Sequence, residues 1–129
     1  MVDINESITT TIDSREHWNT TGIVLVTGSR YQARASGEWH DASKVCDADG
    51  WVSDSDLIRD LEHFRRVRDA NWFALIGAYD QDRRTEFVIG KCLEFVATQD
   101  GELTCFANDA PFMYWNNKGS ISLTITRLS

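Results

Sequence analysis

The chain reads as an all-β protein, an antiparallel sandwich or barrel with one inserted helix around residues 55–69. Three observations lead there: eight short runs rich in β-branched and aromatic residues, turn residues between them, and one stretch with helical spacing. The runs cover residues 8–12, 23–27, 31–35, 72–76, 86–89, 93–97, 103–107 and 121–125. Tyr31, Ala33 and Ala35 alternate with Gln32, Arg34 and Ser36, the period of a half-buried strand, and Ile121, Leu123 and Ile125 alternate with Ser122, Thr124 and Thr126 in the same way. Gly22, Gly28-Ser29, Asp80-Gln81-Asp82 and Gln99-Asp100-Gly101 supply the punctuation. In the exceptional stretch Leu57, Ile58, Leu61, Phe64 and Val67 recur at helical intervals behind a start formed by Asp54, Ser55 and Asp56. Arg59, Asp60, Glu62, Arg65, Arg66 and Arg68 would form its solvated face, and the helix would cover a sheet edge.

At 129 residues the chain is a single domain, 1–129, long enough to bury a real core. A formal net charge of −7 argues against nucleic-acid phosphates and anionic membranes, which need a basic face. No stretch approaches the roughly 20 apolar residues of a membrane span, so no membrane insertion is expected. The N-terminus carries neither a basic start nor an apolar run. The expectation is a cytoplasmic protein, with release by a non-classical route left open. Cys46, Cys92 and Cys105 are an odd number without tight spacing and fit reduced thiols better than a disulfide frame. With no CxxC and scattered histidines, a zinc site is not expected.

The segment 108–120 concentrates the polar chemistry. One carboxylate, Asp109, and two adjacent amides, Asn116 and Asn117, lie on a short loop between strand-like flanks, with the single proline, Pro111, inside it. Hard cations such as calcium take oxygen ligands of this mixed charge. The competing reading is an ordinary turn, because Asn, Asp, Gly and Pro are also the common turn residues.

The arrangement Asn108-Asp109, then Asn116-Asn117-Lys118-Gly119-Ser120, resembles that of the calcium-dependent galactose-binding bacterial lectins of the PA-I type. The resemblance extends in order along the chain. Residues 8–12 resemble the first strand, 22–37 the strands leading to a Gly-Trp motif, 70–77 the central apolar strand ending in Gly, and 85–90 the short Phe-x-Ile-Gly strand. It implies a jelly-roll-like, galactose-binding-like antiparallel β-sandwich, no covalent chemistry, and a Ca2+ site. Side chains of Asp109, Asn116 and Asn117 would hold the ion, with one backbone carbonyl at Met113 and another near Asp41 or Ala42. It further implies that two sugar hydroxyls complete the coordination, with Asp109, Asn116, Ala110 and Trp115 at the saccharide. Trp115 stands where the family has a small residue: it would stack on the sugar, block the site or pack beneath the loop. The family often forms small homo-oligomers, which raise avidity. The alternative is an interaction or accessory domain of lectin fold that has lost sugar binding.

Other candidates carry less. Asp47-Ala48-Asp49-Gly50-Trp51 departs from EF-hand spacing, and the cluster Asp47, Asp49, Asp54 and Asp56 reads as a solvated turn and helix start. Glu38, His40 and Asp41 follow a strand, but no nucleophile motif accompanies them. Trp18, Trp39, Trp51 and Trp72 read as core or rim packing.

Overall fold

The computed structural model describes residues 2–52 and 61–129. Eleven strands form within them: β1 Ser7–Asp13, β2 Asn19–Leu25, β3 Arg30–Ser36, β4 Trp39–Asp41, β5 Lys44–Cys46, β6 Leu75–Tyr79, β7 Phe87–Val88, β8 Cys92–Val96, β9 Gly101–Ala107, β10 Asn117–Lys118 and β11 Ser120–Arg127. One four-stranded sheet runs β1-β11-β3-β8 and the other β2-β9-β6-β7, while a small third sheet runs β10-β4-β5. The pairings are antiparallel.

The alternation seen in the sequence decides which face is buried. Ile121, Leu123 and Ile125 of β11 and Tyr31, Ala33 and Ala35 of β3 point inward. They meet Ile23, Leu25, Leu103, Cys105, Leu75 and Tyr79 from the opposite sheet. The outward residues of the first sheet form hydroxyl ladders, with Ser7 Oγ 2.6 Å from Thr126 Oγ1 and Thr9 Oγ1 2.8 Å from Thr124 Oγ1. Burial of each large aliphatic or aromatic core side chain contributes roughly 1.5–3 kcal/mol.

Strand β6 is buried on both faces, because a second apolar layer covers it. Ile76 and Phe106, paired in register, pack outward against Ala70, Ala74, Trp18 and Val67. The segment that supplies this cover is the one expected to be helical. Residues 53–60 of that expectation, with Asp54 and Asp56, lie outside the described residues. The remainder is not a continuous α-helix: a single 3-10 turn, Glu62–Phe64, gives way to bends and turns. Tertiary partners explain the departure. The Arg66 N–H donates to Asp109 O (3.1 Å) and the Val67 N–H to Asn108 Oδ1 (2.9 Å), so neither continues a helical ladder. Arg66 is correspondingly not on a solvated face. Its guanidinium lies 3.4 Å from the Phe106 ring centroid and 4.8 Å from that of Trp18.

The strand expected at 72–76 begins later, at Leu75. Phe73 has φ +61° and donates its N–H to Asn108 O (2.7 Å), so this stretch turns before the strand starts. The aromatic expectations hold: Trp39 is fully buried edge-on to Phe73, and Trp51 stacks on Trp72. Cys46 and Cys105 are buried free thiols and Cys92 is an exposed one. Burial, reinforced by the nearby Asp41 and Asp47 carboxylates, pushes Cys46 up to about 12. Among the described residues no helix is long and apolar enough to cross a membrane.

Candidate site at the 108–117 loop

The loop leaves β9 at Asn108 and returns through β10, and two buried residues fix its path. Asn108 Nδ2 donates to the carbonyls of Val67 (2.8 Å), Asn71 (3.0 Å) and Ala70 (3.2 Å), so this side chain is structural. The Tyr114 hydroxyl donates to Ala107 O (2.5 Å) and accepts from Arg66 (3.1 Å), while its ring stacks on His17. His17 Nε2 in turn donates to Pro111 O (2.8 Å). Burial pushes the Tyr114 hydroxyl up to about 12, so it stays protonated.

Between these anchors the loop presents oxygen atoms inward. Asp109 is 1% exposed; its Oδ1 accepts the Ala110 N–H (2.8 Å), and its Oδ2 is buried without a partner. Asn117 is fully buried, and its Nδ2 donates to Ser14 O (2.9 Å) at the β1–β2 turn. That bond leaves Asn117 Oδ1 as the free end of the amide, and it too is buried without a partner. Asn116 Oδ1 is a third such oxygen. Gly119, at φ +84°, makes the turn from β10 into β11, where an added Cβ would lie 3.3 Å from Trp39 Cα.

An unsatisfied buried polar atom costs about 1–3 kcal/mol, so three acceptors in one loop need an explanation. All three are acceptors, and among the described residues no donor meets them in strict hydrogen-bond geometry. Among the described residues no three His, Cys, Asp or Glu side chains gather, and amide oxygens are what enlarge this set beyond its carboxylates. A group of hard oxygens of this kind suits an oxygen-loving cation and offers little to a thiophilic one.

The electrostatics of the loop are set by burial and by two neighbouring carboxylates. Burial and the neighbouring Asp41 carboxylate push the Asp109 carboxyl up to about 7, against the lowering influence of the Ala110 N–H and the Asn117 amide. Burial likewise raises the Asp41 carboxyl, opposed by the Trp51 indole N–H beside it. That N–H meets no acceptor within strict hydrogen-bond geometry. Asp41 sits opposite Asn117 in the β4–β10 register, and the Ala42 N–H donates to Asn116 O (3.3 Å).

The remaining expected residues are placed unevenly. The Met113 carbonyl accepts only a long 3.5 Å bond from the Asn116 N–H, so it retains acceptor capacity. Ala110 is 2% exposed with its N–H engaged by Asp109, so the expected sugar contact there has no open surface behind it. Trp115 is 71% exposed beside Asn116, so it does not pack beneath the loop. Phe64 and Phe112 add two more exposed rings in edge-to-face contact. Their exposure is not marked by any pattern in the sequence. A separate concavity of about 420 Å³, lined by Asp49, Asp69, Asn71, Val88 and Gly90 among others, contains none of the expected site residues. Asp47 and Asp49 shape a turn there, with the Asp49 N–H bonded to Asp47 Oδ1, as a solvated turn would have it.

No family model matches the sequence, and no curated protein matches it either. Among solved structures the chain is similar to the N-terminal domain of EclA, described as a PllA-like lectin. They share 18% identity at a TM-score of 0.70, over 92% of this chain and 94% of that one. The chain has the fold of a lectin domain. It is also similar to part of the IMPa metallopeptidase, solved in complex with T-antigen, at 10% identity and a TM-score of 0.50. That match covers 96% of this chain and 12% of the other. At these identities the likeness is one of fold, so the chemistry of the 108–117 loop rests on its own residues.

Proposed function

We propose that this protein is a calcium-dependent lectin related to the PA-I type, binding a neutral saccharide of the galactose type without covalent chemistry. The observation that supports it most is the coincidence of the ligand set with the unpartnered oxygens. Asp109, Asn116 and Asn117 are the three side chains that the sequence resemblance implies, and each holds a buried acceptor without a donor. The carbonyls of Met113 and of Asp41 or Ala42 would complete the protein's share. Bound calcium would supply Lewis-acid coordination of two adjacent sugar hydroxyls.

The chain's own residues then orient the sugar. Asp109 would accept a hydrogen bond from a sugar hydroxyl, and the Asn116 amide would donate or accept one. Trp115, exposed at the lip, offers a flat apolar face to the C–H side of the ring. The lectin fold shared with the EclA domain is consistent with this reading.

Calorimetric titration of chelator-treated protein with calcium, then of the loaded protein with galactose and glucose, tests it. Calcium heat that disappears in Asp109→Ala, followed by galactose heat, is the expected result. No calcium heat in the wild type would remove the metal and leave a lectin-fold interaction domain, to be pursued through protein partners.

A further inference from the structure

The position near Asp41 enters the proposed site only through a backbone carbonyl, to which the side chain is irrelevant. Its side chain is nevertheless placed at the site. Asp41 and Asn117 are directly opposed across the β4–β10 ladder, and opposed residues on paired strands put their side chains on the same face about 5 Å apart. The Asp41 carboxylate therefore stands beside the Asn117 amide, whose Oδ1 is one of the three unpartnered buried oxygens. Asp109, fully buried with an unpartnered Oδ2, is close enough to Asp41 for that residue's charge to act on it.

Among the described residues neither carboxylate forms an ion pair. The obvious candidate for Asp41 is Lys44, its cross-strand neighbour on β5. Lys44 instead places its ammonium 5.3 Å from the Trp51 ring centroid. Trp51 is in turn stacked on Trp72, over which Arg65 lies at 5.4 Å. This layered stack holds the Trp51 indole beside Asp41. Two neighbouring carboxylates, one buried and one partly so, with no ion pair among the described residues, call for an external positive charge or a shared proton.

We infer that the Asp41 side chain is a second anionic group of the cation site, held in place by Trp51, so that the site carries two formal negative charges. This rests on the reading of the loop as a calcium site and changes its character. Affinity of oxygen-ligand sites for calcium follows ligand charge count, so the site is tighter than one carboxylate would make it.

The test compares calcium affinity, by calorimetry on chelator-treated protein, for the wild type, Asp41→Asn and Glu94→Gln. Glu94 is a surface carboxylate paired with Arg30 and controls for loss of general charge. Asp41→Asn keeps the carbonyl and the shape, and a tenfold or greater loss of affinity is expected against a change of less than twofold for Glu94→Gln. The metal-free Asp41→Asn protein should also melt higher than the metal-free wild type, since a like charge beside Asp109 has gone. Should the amide disturb the fold, Asp41→Ala also keeps the carbonyl and provides the same comparison. Wild-type affinity in these variants would overturn the second anionic group and leave the calcium site standing. A wild type that binds no calcium would overturn both.

Discussion

Asp109 makes the metal-free fold sensitive to pH in a direction opposite to that of a carboxylate held by a salt bridge. Burial and the Asp41 charge raise its carboxyl from 3.8 to about 7. In the unfolded chain the proton leaves near the ordinary value, whereas in the fold it is kept until near neutrality. Between those limits the folded state binds more protons than the unfolded one, so unfolding free energy falls as pH rises. At 1.36 kcal/mol per pH unit the interval corresponds to about 4 kcal/mol, fully present below the unfolded value and lost once pH passes about 7. For a domain of this size that is on the order of 10 °C in Tm. The assay is thermal unfolding of chelator-treated protein from pH 5 to 7.5, with Asp109→Asn measured alongside. The variant removes the titration and keeps the shape, so subtracting its profile cancels the groups that do not interact with Asp109 and leaves the Asp109–Asp41 pair. The wild type should lose stability relative to Asp109→Asn across this range, and saturating calcium should restore it at pH 7.5. Parallel profiles for the two proteins would refute the burial of a metal-free carboxylate at this position.

Three further outcomes follow from the packing. Trp115→Ala should leave Tm within about 1 °C and weaken galactose binding by roughly 1 kcal/mol, about fivefold, in calorimetry; tighter binding would make the ring an obstruction. Asn108→Ala removes the side chain that ties four backbone groups of residues 67–71 to the loop, and should cost about 3 kcal/mol in denaturant unfolding, with hydrogen exchange accelerating first at 65–74. Gly50→Ala should destabilise the fold by roughly 2 kcal/mol or more in the same assay. Its Cβ would lie 2.1 Å from Trp72 O at a φ of +74°, and an unchanged midpoint would show that the turn yields.

The two main sheets were legible in the chain because their signal is local. Alternation in β3 and β11 states which side chain faces inward, and Gly28 and the Asp-rich turns mark where strands end, whereas Gly22, expected as a break, lies inside β2 at the irregularity between Thr20 and Val24. The three side-chain oxygens of the loop were legible for the same reason, since Asp109, Asn116 and Asn117 belong to one short segment of recognisable spacing. Strands β4, β5 and β10 were not foreseen. With two or three residues each they show no period, and they exist because the loop and the segment after β3 meet in space.

What the amino-acid sequence determined alone was the alternation, most of the punctuation and the clustering of three side-chain oxygens in one loop. Tertiary structure alone decided the rest, because the deciding partners lie far apart in the chain. The spacing of Leu61, Phe64 and Val67 favours a helix, yet the backbone donors of Arg66 and Val67 find Asp109 and Asn108 more than 40 residues away. Helix propagation is worth little per residue, so a buried hydrogen-bond partner with an apolar layer beneath it outweighs it. The same holds for the Asp41 side chain: the sequence offered only that residue's carbonyl, and the β4–β10 pairing is what sets the carboxylate opposite Asn117.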